Sequence, residues 1–292
     1  MAPDRMTLAV LGPGGVGGLL AALLSRGGDR VVVLHHSVPS EIRVESMRFG
    51  DFTAEVSTAP RLAEPVDAVL VTVKATHLED SLNRVPASAL GEGLVIPFLN
   101  GIEHVELLRS VYPAERVVPA TIRIETTKVA PGVIRHTSPF AVVDIGSRGE
   151  PVATRLRAAG LDVRINDDEK AMLWDKMAAL GPMALITTHA RANVGEVRVQ
   201  RREDLEALVH EFAAVAAAEG VRIDADANLA FIDRAPGTME TSMQRDQAAG
   251  RPIEIDALGG ALLRRAAKAG IQVPVTKRLV EELRSRAVSR SA

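Results

Sequence analysis

Leu8-Ala9-Val10-Leu11-Gly12-Pro13-Gly14-Gly15-Val16-Gly17-Gly18-Leu19-Leu20 places glycine at the first, third and sixth positions of a turn that leaves an apolar strand and enters an apolar helix. This spacing reads as a dinucleotide site. Gly12 permits the tight turn, Gly14 lets the backbone approach a pyrophosphate, and Gly17 lets the helix pack closely on the strand, while the helix N-terminus offers unpaired N–H groups to phosphate. Gly12, Pro13, Gly14, Gly15, Val16 and Gly17 are therefore the candidate cofactor-binding residues. A glycine-rich turn can also be plain structure, but a strand before and a helix after are the context the dinucleotide reading requires. Residues 30–34 repeat the strand pattern and close a first βαβ unit. The acid that usually reads the ribose of NAD is missing at its end. His35, His36 and Ser37 stand there instead, which favours a 2′-phosphate and hence NADPH; the alternative is that two exposed histidines open an ordinary loop.

The remaining composition narrows the function classes. A chain of 292 residues with 47% hydrophobic and 25% charged content can bury the cores of two domains. A formal charge of −2 offers no broad basic field, which argues against nucleic acid as a partner. The absence of cysteine excludes disulfides, thiolate metal sites and cysteine nucleophiles, and no metal is expected. No apolar run approaches a membrane span, and Met1-Ala2-Pro3-Asp4-Arg5 leads straight into a strand without a signal-cleavage pattern, so a cytoplasmic protein is expected. With aromatics at 3%, Ala, Val and Leu must fill the interior.

Further strand signals fall at residues 66–74, 94–99 and 117–124, and an alternating pair at 132–136 and 140–145 is expected to end the first half in a hairpin. Helical stretches at 78–84 and 103–112 lie between them. From Asp167 onward helices dominate: Asn166 followed by Glu169 reads as a capping box for a helix carrying Met172, Trp174, Lys176 and Leu180. Later helices are expected over 202–219, 253–268 and 277–286, with a frayed tail beyond Val288. The fold class is thus α/β, with an N-terminal Rossmann dinucleotide-binding domain over 1–166 and an all-α C-terminal domain over 167–292.

Three places could carry chemistry. Lys74 and Asn100 each close a strand, and in open parallel sheets ligands bind outside such ends; either one alone is equally well a solvated exit or a turn residue. Lys176 is sharper, because steps of four give Met172, Lys176, Leu180, Ala184 and Thr188, a stripe of otherwise apolar or small groups. Such an ammonium either snorkels to water or stays partly desolvated with a pKa lowered toward the range of proton transfer. The third is Ser242-Met243-Gln244-Arg245-Asp246 with Arg251-Pro252-Ile253-Glu254-Ile255-Asp256, where Pro252 suits a first helical turn and the acids also suit a helix N-terminus.

The succession GPGGVGG, VTVKA, NG, LWDKMA, TSMQRD and RPIEIDALGGALLRRAAKAGIQVP resembles the ketopantoate reductases, or 2-dehydropantoate 2-reductases, over nearly the whole chain. The resemblance implies NADPH-dependent reduction of a 2-oxo acid in a cleft between the two domains, and by analogy a homodimer. It implies that Lys176 is the catalytic general acid, Glu254 an acid that hydrogen-bonds in the active site, and Ser242 a substrate-binding serine. Lys74 and Asn100 match positions near cofactor and substrate, and His36 stands where an arginine commonly reads the 2′-phosphate. Arg123 is a candidate carboxylate clamp, or else a surface strand residue. Departures matter as well: Leu180 and Ala184 replace the family's asparagines, His77 its glutamine, and Gly259 a further asparagine. These changes suggest a less polar 2-oxo acid or weak catalysis. Competing readings are a related 3-hydroxy acid dehydrogenase, against which Leu180 argues, and a dinucleotide-responsive sensor with little turnover.

Overall fold

The computed structural model describes residues 5–36 and 39–288; residues 1–4, Ser37 and the tail beyond Val288, on which expectations rested, lie outside the described residues. The chain divides into two compact units, Met1–Leu99 with His104–Met172, and Asn100–Glu103 with Leu173–Ala292.

The first unit runs β1 (Thr7–Leu11), α1 (Gly15–Arg26), β2 (Arg30–Leu34), β3 (Glu41–Ser46), β4 (Phe52–Glu55), β5 (Ser57–Ala59), β6 (Ala68–Val71), α2 (Leu78–Leu82), α3 (Ala87–Leu90) and β7 (Leu94–Pro97). It continues through α4 (His104–Val111), β8 (Ala120–Arg123), β9 (Thr126–Ala130), β10 (Val133–His136), β11 (Val142–Gly146), α5 (Glu150–Ala158) and β12 (Asp162–Asn166). Five parallel strands pair in the order β5-β2-β1-β6-β7. The chain therefore reverses direction across the sheet between β1 and β6, whose ends Leu11 and Val71 are in register, and ligands of open α/β sheets bind at such a switch point.

The apolar run seen in the sequence explains why α1 lies on this sheet. Leu19, Leu20, Leu23 and Leu24 are all buried, and each contributes roughly 1.5–3 kcal/mol relative to exposure. At the far end of α1, the Asp29 carboxylate accepts from Arg155 of α5 at 2.8 and 2.9 Å and from the Met6 N–H at 3.1 Å. Both members of this ion pair are buried, so removing either one leaves an uncompensated charge at about 3–5 kcal/mol.

Two expectations for this unit are corrected. Residues 132–136 and 140–145 do not form a hairpin: β10 pairs with β9 and β3, whereas β11 pairs with β8 and β12. The hairpin is β9–β10, because Pro131-Gly132 supplies the turn with Gly132 at φ +72, while Ser138-Pro139 offers no such residue between β10 and β11. The helix at 169 is also capped differently. Asn166 accepts from the Asp168 N–H and Asp168 from the Ala171 N–H, so Asp168 is the cap, and Glu169 turns instead to Arg109 at 2.7 Å.

The long helix α6 (Glu169–Ala190) leads into the second unit, where α7 (Val194–Gln200), α8 (Arg202–Ala218), α9 (Ala225–Arg234), α10 (Ser242–Ala248), α11 (Ala261–Ala269) and α12 (Pro274–Val288) follow. Trp174, Leu185, Leu208, Phe212, Leu262 and Leu279 are buried in this unit. A Cβ on Gly181 would stand 2.2 Å from the Phe212 ring, so α6 and α8 meet closely there. The single helix expected over 253–268 is replaced by a π-helical stretch at Asp256–Gly260 that passes into α11. Pro252 therefore precedes the helix and occupies no helical turn. Gly259 and Gly260 explain the distortion. Their absent side chains would strike Val280 at 2.3 Å and Asp256 at 2.3 Å, so two glycines allow a wide turn to lie against α12.

Candidate active site

In the first unit the glycine loop takes the form its spacing predicts. Gly12 has φ +102 and lies so close to Val73 that a Cβ would meet its backbone nitrogen at 2.6 Å. A Cβ on Gly17 would fall 2.2 Å from both the Gly12 carbonyl oxygen and Thr72 Oγ1. Thr72, which the sequence reading passed over, donates from Oγ1 to the Gly12 oxygen at 2.7 Å, so β6 holds the loop by a side chain as well as by its ladder. Gly14, by contrast, has no atom within 4 Å of where a Cβ would be. No side chain caps α1, and its first-turn N–H groups are left to an outside acceptor. Open space at Gly14 beside an uncapped helix fits a dinucleotide pyrophosphate. Pro13, Gly15 and Val16 complete this loop, with Gly15 set against Thr126 of β9. His36 is exposed just beyond β2, and Lys74 is half-buried two residues beyond Thr72.

Arg123 donates to Asp144 Oδ2 at 2.6 Å across the β8–β11 pair. That ion pair accounts for the guanidinium within its own sheet.

In the second unit, Asn100 and Glu254 come together although 154 residues separate them: Asn100 Nδ2 donates to Glu254 Oε2 at 3.1 Å. Glu254 is 7% exposed, and a buried carboxylate requires such donors. The contact depends on Gly101, which has φ +86 and would carry a Cβ 2.3 Å from the Ala257 carbonyl. The Asn-Gly turn is thus pressed against the first π-helical turn. Lys176 is half-buried on α6, on a stripe with buried Met172 and Ala184 and half-buried Leu180. Ser242 is exposed at the first position of α10, whose cap is Thr241 accepting from the Gln244 N–H. Among the described residues no helix is long and apolar enough to cross a membrane, and no group of three or more His, Cys, Asp or Glu could hold a metal ion.

Comparison with known proteins then defines the class. Residues 8–150 match the model of ketopantoate reductase PanE/ApbA, and residues 168–287 match that of its C-terminal domain. A 2-dehydropantoate 2-reductase of Caulobacter vibrioides is 32% identical over 97% of this chain and 99% of its own. The crystal structure of a PanE/ApbA family ketopantoate reductase from Ralstonia eutropha superposes with a TM-score of 0.89 at 26% identity, covering 98% of this chain and 100% of that one. D-mandelate dehydrogenase with NADH and anilino(oxo)acetate gives 0.90 at 21% identity over 98% and 100%, a likeness of fold. These matches define an oxidoreductase that acts on CH–OH groups. The chain belongs to the ketopantoate reductase PanE/ApbA family, whose members are nicotinamide-dependent 2-oxo acid reductases.

Proposed function

We propose that this protein uses NADPH to reduce a small 2-oxo acid to the 2-hydroxy acid, the substrate being 2-dehydropantoate or a less polar relative. The observation that carries the reading is Lys176, a half-buried ammonium on the stripe of α6 that otherwise presents Met172, Leu180 and Ala184. When bound, the reduced nicotinamide supplies hydride to the carbonyl carbon. Lys176 then stabilises the charge that develops on the carbonyl oxygen and gives it a proton. Glu254, held by Asn100, orients polar hydrogens at the reacting end. Ser242 and Lys74 serve as donors to the substrate carboxylate and neighbouring cofactor groups, and the glycine loop takes the pyrophosphate. Arg123 is left outside this set because Asp144 already pairs with it.

Leu180 and Ala184 favour the less polar substrate. A substrate hydroxyl buried against them would lose hydrogen bonds to water without replacement, at about 1–3 kcal/mol each. The test is NADPH oxidation across a panel of 2-oxo acids, from hydroxylated to alkyl and aryl, with Lys176→Ala as control. Tight NADPH binding without turnover of any member would replace this reading by that of a sensor.

A further inference from the structure

We propose that Arg264 and Glu103 are positioning residues for the reduction: together they clamp the Asn100-Gly101 turn to the π-helical stretch that follows Glu254, and so set the hydrogen bond between Asn100 and Glu254. The inference rests on the reading of that pair and Lys176 as the reacting end of the site. Glu254 needs such a device because the backbone around it is loosely held. No side chain caps the π-helical stretch, and the Leu258 N–H reaches the Glu254 carbonyl at 3.3 Å, long for a helical bond. On the other side of the contact, Gly101 at φ +86 has no side chain with which to fix its turn.

Arg264, exposed on α11, supplies the constraint with two edges of its guanidinium. Nε donates to Glu103 Oε1 at 3.0 Å and Nη2 to Glu103 Oε2 at 2.6 Å. Nη1 donates to Asp256 Oδ1 at 3.2 Å, and Nη2 to Asp256 Oδ2 at 3.0 Å and to the Asp256 carbonyl at 3.2 Å. Glu103 follows closely on Asn100 and Asp256 on Glu254, so one planar cation ties together both sides of the 3.1 Å contact. Hydrogen bonding from Arg264, with Arg284 of α12 adding to it, holds the Asp256 carboxyl below its ordinary range, so this end of the clamp stays an anion. The chain of charges continues to the helix of Lys176. Arg265 lies 3.9 Å from Glu103 and donates to Glu219 at 3.2 Å, and Glu219 accepts from the indole N–H of Trp174 on α6 at 3.1 Å. Exposed ion pairs add little to stability, whereas a shift of about 1 Å at a reacting group can cost 10²-fold in rate, so such a network acts on placement more than on folding.

The experiment is a double-mutant cycle on the full chain, read by kcat for the best 2-oxo acid, by NADPH titration and by thermal unfolding. Arg264→Met and Glu103→Ala should each lower kcat about tenfold, with NADPH affinity within about twofold and a melting temperature no more than about 3 °C lower. Arg264→Lys keeps the charge without the fork and should recover only part of the loss. In an Asn100→Ala background, where the contact is already gone, Arg264→Met should change kcat by less than about twofold. The same tenfold loss in that background, or wild-type kcat in both single variants, would overturn the inference. Amide hydrogen exchange over residues 99–103 and 254–260 gives a readout independent of turnover, and Arg264→Met should speed it in both segments. Unchanged exchange would also overturn the clamp. A wild type that turns over no 2-oxo acid, yet shows this exchange response, would overturn the reductase reading and uphold the clamp.

Discussion

Asn100 Nδ2 lies 3.1 Å from Glu254 Oε2, a hydrogen bond from an Asn-Gly turn to a buried carboxylate. Asn100→Ala leaves that carboxylate with one donor fewer, at about 1–3 kcal/mol. Thermal unfolding should shift down by several degrees, and kcat/KM for the best 2-oxo acid should fall at least tenfold. Asn100→Asp, which sets a like charge beside Glu254, should be worse on both counts. A variant indistinguishable from wild type in melting and kinetics would remove this contact from the site.

Lys176→Ala should lower kcat by about 10²–10⁴-fold, the range of positioned proton donors. NADPH affinity, measured by titration, should stay within twofold of wild type. A parallel loss of cofactor binding would show that the side chain supports the fold and not the proton transfer.

Leu180→Asn puts a hydrogen-bonding group one turn beyond Lys176 on α6. The ratio of kcat/KM for a hydroxylated 2-oxo acid to that for an alkyl one should rise about tenfold or more. An unchanged ratio would mean that this position does not meet the substrate side chain.

Gly17→Ala introduces a Cβ 2.2 Å from the Gly12 oxygen and Thr72 Oγ1, neither of which can move without disturbing the loop. Overpacking of this kind costs about 1–3 kcal/mol or more. Dinucleotide binding should be lost along with that stability. Retained NADPH affinity would show that the loop tolerates a wider separation of α1 from β6 than its geometry implies.

His136 supplies a pH dependence. It is buried between Ser46 Oγ and Ser138 Oγ, each 2.9 Å from a ring nitrogen, and burial holds its pKa below the ordinary value, with Arg48 adding to the effect. The unfolded chain therefore takes up this proton first as pH falls below about 6.5. The associated stability is full above that pH and is lost as the pH drops toward the depressed folded pKa. Denaturant midpoints should fall from pH 7.5 to 5.5 more steeply for wild type than for His136→Asn. Equal slopes would acquit this residue.

The glycine loop was legible because its requirements are local: each glycine answers a clash within the strand, turn and helix that contain it. The half-buried placement of Lys176 was legible for a similar reason, since steps of four along one helix place it among apolar neighbours whatever that helix later packs on. The hairpin was misread because alternation at 132–136 and 140–145 shows that strands exist and says nothing of which edges they join. Arg123 looked available as a clamp because nothing near it in sequence revealed Asp144 on the adjacent strand.

Sequence by itself determined the parallel dinucleotide-binding sheet, the helical second half and the family, because these follow from periodicity, from turn chemistry and from motifs that each fit within a few dozen residues. Tertiary structure decided that Asn100 meets Glu254 and that Gly259 and Gly260 widen a helix into a π-helical stretch. Those outcomes depend on contacts between residues 21 positions apart, as for Gly259 and Val280, to 154 apart, as for Asn100 and Glu254, and such contacts are fixed by packing in three dimensions, which no local pattern encodes.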